Sequence, residues 1–189
     1  MRLILLRHQE RFEDPTLLTE LTDIGKQNAI SSIEKLSKYP ISNIYCSPFI
    51  RTLQTIDPFS RHSSIPICVE NGLYEYTGEN IFNPSNYYRM DSTIYTQIIQ
   101  DEFNIDSSYI SKIKEPISIL ETELDLMKRV KIVLDEVVEP SDKMVLMVAH
   151  QSTLNAIIKN YIPDHDIDYP YKIGGIWELR IDKGGRLLE

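Results

Sequence analysis

No apolar run in this 189-residue chain approaches the roughly 20 residues that a membrane-spanning helix requires. The N-terminus offers one arginine and then four apolar residues, too few for the hydrophobic segment of a secretory signal. Cysteine is scarce. Cys46 and Cys68 make no disulfide framework, and neither stands in a cluster with metal-ligand spacing. The cytoplasm is therefore the expected compartment. Positive charge is in deficit: 20 Lys and Arg against 28 Asp and Glu give a net charge of −8, which argues against a nucleic-acid surface. An anionic substrate stays open, because a few arginines set the field inside a pocket whatever the net charge. No internal repeat or low-complexity linker interrupts the chain, so one domain over 1–189 is expected.

What is present is an alternation of strands and helices. Leu3-Ile4-Leu5-Leu6 is apolar at every position and so reads as a strand buried on both faces, as is the run from Met144 to Ala149. Thr22 is placed to cap a helix with core positions Ile24, Ala29, Ile30, Ile33 and Leu36. A short strand over 44–46 leads into Ser47-Pro48, read as an N-cap and first helical residue, and that helix is expected to stop before Pro58. Residues 65–69 read as a third strand, and Asn71-Gly72 as a turn. Leu120, Leu124, Met127, Val130, Leu134 and Val137 follow the helical period, with Ser118/Glu121 or Thr122/Asp125 as alternative capping boxes. A helix from Ser152 is ended by Pro163, and 176–181 alternates as an antiparallel edge strand does. Between about 79 and 116 the pattern degrades, apart from a helical stretch at 93–103, and this part is expected to form a lid or binding wall. The fold class that follows is α/β: a three-layer sandwich with a mostly parallel central sheet, one antiparallel edge strand and helices on both faces.

The chemistry gathers at strand ends. Leu6 runs into Arg7-His8 and Ala149 into His150, while Arg51 stands just past a third strand. Were these strands parallel neighbours, two histidines and two arginines would converge at one carboxyl edge, where open α/β sheets bind their ligands. The helix after His150 would aim its backbone N–H groups at the same place. Such a pocket suits a phosphoryl group, with an imidazole to attack it and guanidinium groups to hold its oxygens.

The chain resembles the histidine phosphatase superfamily, the phosphoglycerate mutase-like proteins. Leu6-Arg7-His8-Gln9-Glu10 is similar to the family's LRHGE, and Leu21-Thr22-Asp23-Ile24-Gly25 to its LTxxG. The run from Cys46 to Thr55 follows SSPxxRxxQT, and Leu73-Tyr74-Glu75 an LxE segment that carries an acidic residue. Residues 121–130 resemble its ESxxDxxxRV helix, and 148–154 its VSHGGTL. The resemblance implies a metal-independent phosphomonoesterase with no cofactor. His8 would be the nucleophile that becomes phosphohistidine. Arg7, Arg51 and His150 would hold the phosphoryl oxygens, Glu75 (with Glu79, four residues on, as the alternative carboxylate) would protonate the leaving oxygen, and the backbone N–H of Gln151 would add a donor.

Departures from the pattern are local. Gln9 and Gln151 replace the glycines after the two histidines, and each is expected to change the pocket wall, or to be strained if its φ were positive. Asp14 lies near the place of a hydrogen-bonding Asn found in some members. The 79–116 part carries Arg89, Lys112 and Lys114 without a paired-arginine motif, which disfavours a mutase. Phosphoglycerate mutase-type transfer and a non-catalytic phospholigand-binding module are the alternatives. The expected partner is a small phosphorylated substrate or a phosphoprotein. Nothing in the pattern sets an oligomeric state. Glu121 and Arg129 read as structural, Cys46 as a buried small side chain, and His62 and His165 as surface residues. Tyr87, Tyr88 and Arg89 read equally as pocket lining or as a packed lid surface.

Overall fold

The computed structural model describes residues 2–13, 16–78, 92–114, 121–137, 144–163, 172–182 and 187–188. Six strands form one sheet: β1 (Arg2–Arg7), β2 (Ile41–Cys46), β3 (Ile67–Val69), β4 (Met144–Ala149), β5 (Ile176–Ile181) and β6 (Leu187–Leu188). Their order is β3-β2-β4-β1-β5-β6. The first four run parallel, β5 is antiparallel to β1, and the two-residue β6 pairs antiparallel on its outer side. Helices α1 (Asp23–Leu36), α2 (Ile50–Ser63), α3 (Ser92–Glu102), α4 (Glu123–Val137) and α5 (Gln151–Tyr161) complete the described elements.

The all-apolar strands are explained by two cores. Successive side chains of a strand point to opposite faces. Leu3, Leu5, Val145 and Met147 pack with Val130, Val133, Leu154 and Ile157 of α4 and α5. Ile4, Leu6, Leu146 and Val148 pack with Leu53 and Ile56 of α2 and with Tyr95 and Ile99 of α3. The three layers expected from the alternation are thus present, with β1 and β4 side by side in the middle of the sheet.

Several local expectations are corrected. On α1 the buried positions are Gly25, Ala29, Ser32 and Leu36, whereas Ile24 and Ile30 are exposed. The reason is close approach: an ideal Cβ on Gly25 would lie 2.0 Å from the carbonyl oxygen of Glu10, so the first turn of α1 tolerates no side chain there. Leu124 is also exposed, because the face that α4 turns inward is Leu126, Val130, Val133 and Val137. Helix α2 does not stop before Pro58. It continues to Ser63, with the proline inside it, because the buried Ile56, Phe59 and Ser60 carry its packing past the lost backbone donor. Ser47 is not the N-cap of α2; Phe49 is, without a side-chain cap. Strand β2 is longer than expected, β3 begins only at Ile67, and Asn71–Leu73 is a single 3-10 turn.

Other expectations stand. Thr22 caps α1, its hydroxyl accepting from the Gly25 amide at 3.0 Å. Of the alternative capping boxes, Thr122/Asp125 is formed. Ser118, Leu120 and His165 lie outside the described residues, as do 79–91 of the expected lid, which include Tyr87, Tyr88 and Arg89.

Candidate active site

The parallel pairing of β1 with β4 sets Arg7 opposite Ala149, so the next residues, His8 and His150, emerge side by side. Their ring centroids are 5.3 Å apart. Both rings are buried, His8 at 4% and His150 at 0% exposure. Strand β2 lies on the other side of β4, with Cys46 opposite Val148, and it delivers Ser47 and the start of α2 to the same edge. Arg51, on the first turn of α2, is only 1% exposed. Its guanidinium lies 4.1 Å from the Phe49 ring centre and donates to the Thr16 carbonyl at 2.9 Å. Phe49 in turn meets the edges of His150 and Tyr74, at 4.7 and 4.5 Å between centroids. The convergence expected from sequence is therefore real for Arg7, His8, Arg51 and His150.

The ring of His8 is held in one tautomer. Its Nδ1 is 2.7 Å from the Gln9 carbonyl, which can only accept, so Nδ1 carries the proton and Nε2 keeps its lone pair. Burial and the neighbouring charge of Arg51 push the His8 pKa down to about 3, which leaves the ring neutral near pH 7. His150 is likewise driven well below the usual imidazole range, first by burial and then by Arg51. Its Nε2 is 2.8 Å from the Ser47 hydroxyl, and its Nδ1 faces Glu75 Oε2 at 3.5 Å.

Glu75 reaches this point from a loop pinned on both sides. Thr153 of α5 donates to the Tyr74 carbonyl at 2.7 Å, and Arg129 of α4 donates to the carbonyls of Gly72 at 2.7 Å and Glu75 at 3.3 Å. Arg129 is itself paired with the buried Glu121, so the two residues expected to be structural hold the loop that carries Glu75. Burial raises the Glu75 pKa, opposed mainly by Arg51.

Gln9 and Gln151 fit without backbone strain. Among the described residues, Ser64 alone of the non-glycine positions has a positive φ. The Gln9 amide N–H donates to Thr55 Oγ1 at 2.9 Å. The Gln9 side chain occupies the space above Gly174: an ideal Cβ there would lie 2.3 Å from Gln9 Oε1, and Gly174 has φ +67°. A glycine absent at position 9 is thus matched by one required at position 174. Gln151 is the first residue of α5, whose N-cap, His150, makes no side-chain cap, so its backbone amide stands at the site as expected. Asp14 and Glu79 lie outside the described residues.

Sequence reasoning missed three participants. Ser47 was read as a helix cap and instead contacts His150, a partner 103 positions away. Arg11 joins Arg51 and Arg7 among the charges that oppose protonation of His8. Glu70, fully buried, accepts from Tyr109 at 2.6 Å, Ser111 at 2.8 Å and the Lys112 amide at 2.8 Å, tying 109–112 to the turn before Glu75. Arg11 and Glu70 carry no periodic or spacing signal that would have marked them. A cavity of about 230 Å³ between α4 and α5 adjoins the loop; it is lined by Leu126, Met127, Asn155 and Lys159, and by Tyr76 and Ser152, the residues after Glu75 and Gln151.

Among the described residues no group of three or more His, Cys, Asp or Glu side chains is arranged to hold a metal ion, and no helix is long and apolar enough to cross a membrane. No curated protein sequence matches the chain. Its fold is similar to that of ecdysone phosphate phosphatase from Bombix mori, solved with tungstate: TM-score 0.71 and 19% identity, over 100% of this chain and 92% of that one. It is also similar to a mycobacterial glucosyl-3-phosphoglycerate phosphatase, with TM-score 0.67 and 19% identity over 99% and 95% of the two chains. A third similar structure is phosphoserine phosphatase from Entamoeba histolytica with 3-phosphoglyceric acid, at TM-score 0.66 and 19% identity over 99% and 93%. A sequence model of the histidine phosphatase superfamily (branch 1) matches residues 3–188, and with the six motifs in their order the chain belongs to that superfamily.

Proposed function

We propose that this protein is a phosphatase that hydrolyses phosphomonoesters without a metal ion, through a phosphohistidine on Nε2 of His8. The observation that carries this reading is the bond from His8 Nδ1 to the Gln9 carbonyl, which leaves Nε2 unprotonated among Arg7, Arg51, His150 and Glu75. In the first step the Nε2 lone pair attacks phosphorus in line with the leaving oxygen, and the P–O bond breaks. The leaving oxygen takes the proton of Glu75, whose raised pKa keeps the acid form populated further toward neutrality. Arg7, Arg51 and the α5 amide at Gln151 offset the charge of the three remaining oxygens. In the second step Glu75, now a carboxylate, takes a proton from water as the water oxygen attacks phosphorus; the N–P bond breaks and inorganic phosphate leaves.

The absence of backbone strain at Gln9 and Gln151 favours a working pocket over a purely binding one. Small phosphorylated molecules and phosphoprotein side chains are the substrate classes, with the 79–116 part as the wall that selects among them. The two free, buried cysteines agree with a reducing compartment, the cytoplasm.

The test is phosphate release from an aryl phosphate with a chelator present, paired with acid quench after labelled substrate. Chelator-resistant turnover and an acid-labile phosphoryl adduct, both lost in His8→Ala, are expected. Turnover that survives His8→Ala overturns the route. Phosphate binding with no turnover and no adduct assigns a binding module instead, and transfer of the label to a bound acceptor assigns a mutase-type reaction.

A further inference from the structure

We infer that Ser47 is a positioning residue whose hydroxyl donates to His150 Nε2, fixing the tautomer in which Nδ1 carries the proton and faces Glu75. The inference rests on reading this site as one for phosphoryl transfer.

Ser47 is fully buried, so no bulk water competes for its hydroxyl. Its backbone is held on both sides: its N–H donates to the Val148 carbonyl at 2.9 Å, and its own carbonyl accepts from Thr52 Oγ1 at 2.8 Å. From this fixed backbone Oγ reaches to 2.8 Å from His150 Nε2. A neutral imidazole has one donor nitrogen and one acceptor nitrogen, and a hydroxyl can serve either. The two tautomers differ in where they leave a donor without a partner: on the Ser47 hydroxyl, which is fully buried, or on Nδ1, which faces Glu75. If Nε2 carried the proton, the Ser47 hydroxyl would accept it, and its own hydrogen would have no acceptor among the described residues. If Nδ1 carries it, the hydroxyl hydrogen is satisfied by the Nε2 lone pair. On the far side of the ring Nδ1 is buried with no hydrogen-bond partner among the described residues, Glu75 Oε2 standing nearest at 3.5 Å, so an N–H there is left to serve a phosphoryl oxygen when substrate binds.

The consequence is for Glu75. A bare Nδ1 beside Glu75 would accept the proton intended for the leaving oxygen. With Nδ1 already protonated, His150 points a donor at the phosphoryl site and leaves the Glu75 proton to the substrate. Nothing ionises in this arrangement; the charges facing His150 are Arg7 from β1, Arg51 from α2 and Arg129 from α4, with the neutral His8 alongside, and all oppose an imidazolium. Ser47 thus does for His150 what the Gln9 carbonyl does for His8. In both rings a hydrogen bond on the nitrogen away from the reaction sets the state of the other.

The experiment is ¹⁵N NMR of histidine-labelled protein, in which protonated and bare ring nitrogens have distinct shifts. His150 of the wild type is expected to have a protonated Nδ1 and a bare Nε2. Ser47→Ala is expected to give a mixture of tautomers, and Ser47→Thr to restore the wild-type pattern. In turnover, Ser47→Ala is expected to lower kcat for an alkyl phosphate by about tenfold or more and to affect an aryl phosphate less, because the aryl leaving group needs little protonation. A wild-type His150 with protonated Nε2 overturns the inference. So does a Ser47→Ala variant with unchanged tautomer and unchanged leaving-group dependence. The NMR reading on the wild type needs no activity, so it decides about Ser47 even if the proposed hydrolysis is absent.

Discussion

The carboxyl group of Glu75 and the imidazole of His150 meet at 3.5 Å, Oε2 to Nδ1, although they come from a loop and a strand end 75 residues apart. Burial moves the two in opposite directions: the carboxyl pKa rises and the imidazole pKa falls. Both changes favour the neutral forms, which is what the proposed hydrolysis asks of a carboxyl group that is to protonate a leaving oxygen.

Glu75→Gln removes that donor while keeping the shape. For an alkyl phosphate the expected loss in kcat is on the order of 10²–10⁴-fold, and for a nitrophenyl phosphate far less. The wild-type rate should decline on the alkaline side as Glu75 loses its proton, and this limb should be missing in the variant. Steady-state rates from pH 5 to 8 with both substrates check the prediction.

The same carboxyl group governs stability with a definite sign. A raised folded-state pKa means that the native state binds the proton more tightly than the unfolded chain. Its contribution is thus complete below the unfolded value of 4.5 and is lost as pH rises through the raised one. Glu75→Gln should therefore stabilise the protein near pH 7.5, and the gain should shrink as pH falls. Urea midpoints at two pH values measure it.

His8 behaves in the opposite way. Its pKa falls from 6.5 to about 3 on folding, so the stability it permits is complete above 6.5 and is lost as pH drops toward 3. His8→Asn should flatten the fall in stability between pH 6.5 and 4, with little change at pH 7.5. Equal pH dependence in wild type and variant would count against the buried, neutral ring.

Arg51 is wedged between the Phe49 ring and the Thr16 carbonyl, and its planar fork suits phosphoryl oxygens. Arg51→Ala should weaken inhibition by vanadate and lower kcat/KM by about 100-fold or more. Arg51→Lys should recover little of either, because an ammonium cannot reproduce the stacking and the paired donors. Full recovery would reduce Arg51 to a point charge.

Breaking the Glu121–Arg129 pair from one side leaves a buried charge unpaired. Glu121→Ala is expected to cost about 3–5 kcal/mol in urea denaturation. Replacing both, as Glu121→Leu with Arg129→Met, should cost less stability. The double variant should still lose activity, since the carbonyls of Gly72 and Glu75 then lack their donor.

The fold was legible because its strands announce themselves. Four apolar residues before Arg7 and six before His150, in a chain that alternates strands with helices, read as strands covered on both faces, and polar side chains after such parallel strands fall at one edge. Helix faces were less legible. On α1 the isoleucines at 24 and 30 suggest a stripe, yet Gly25, Ala29 and Ser32 face inward, and at Gly25 the backbone of Glu10 comes too close for any side chain. Pattern counts hydrophobicity and has no access to such an approach. Pro58 and Ser47 were misread for a related reason: local rules for caps and breakers gave way to packing and to a partner far along the chain.

The residue types and the strand ends that carry them are properties of the sequence alone, since burial of apolar strands dictates both. Which ring nitrogen is bare, which carboxyl meets which imidazole, and which carbonyl holds Arg51 were decided only in three dimensions. Those relationships depend on directions and on contacts of a few ångströms. Ser47 and His150, 103 positions apart and 2.8 Å across, owe their meeting to β2 lying beside β4.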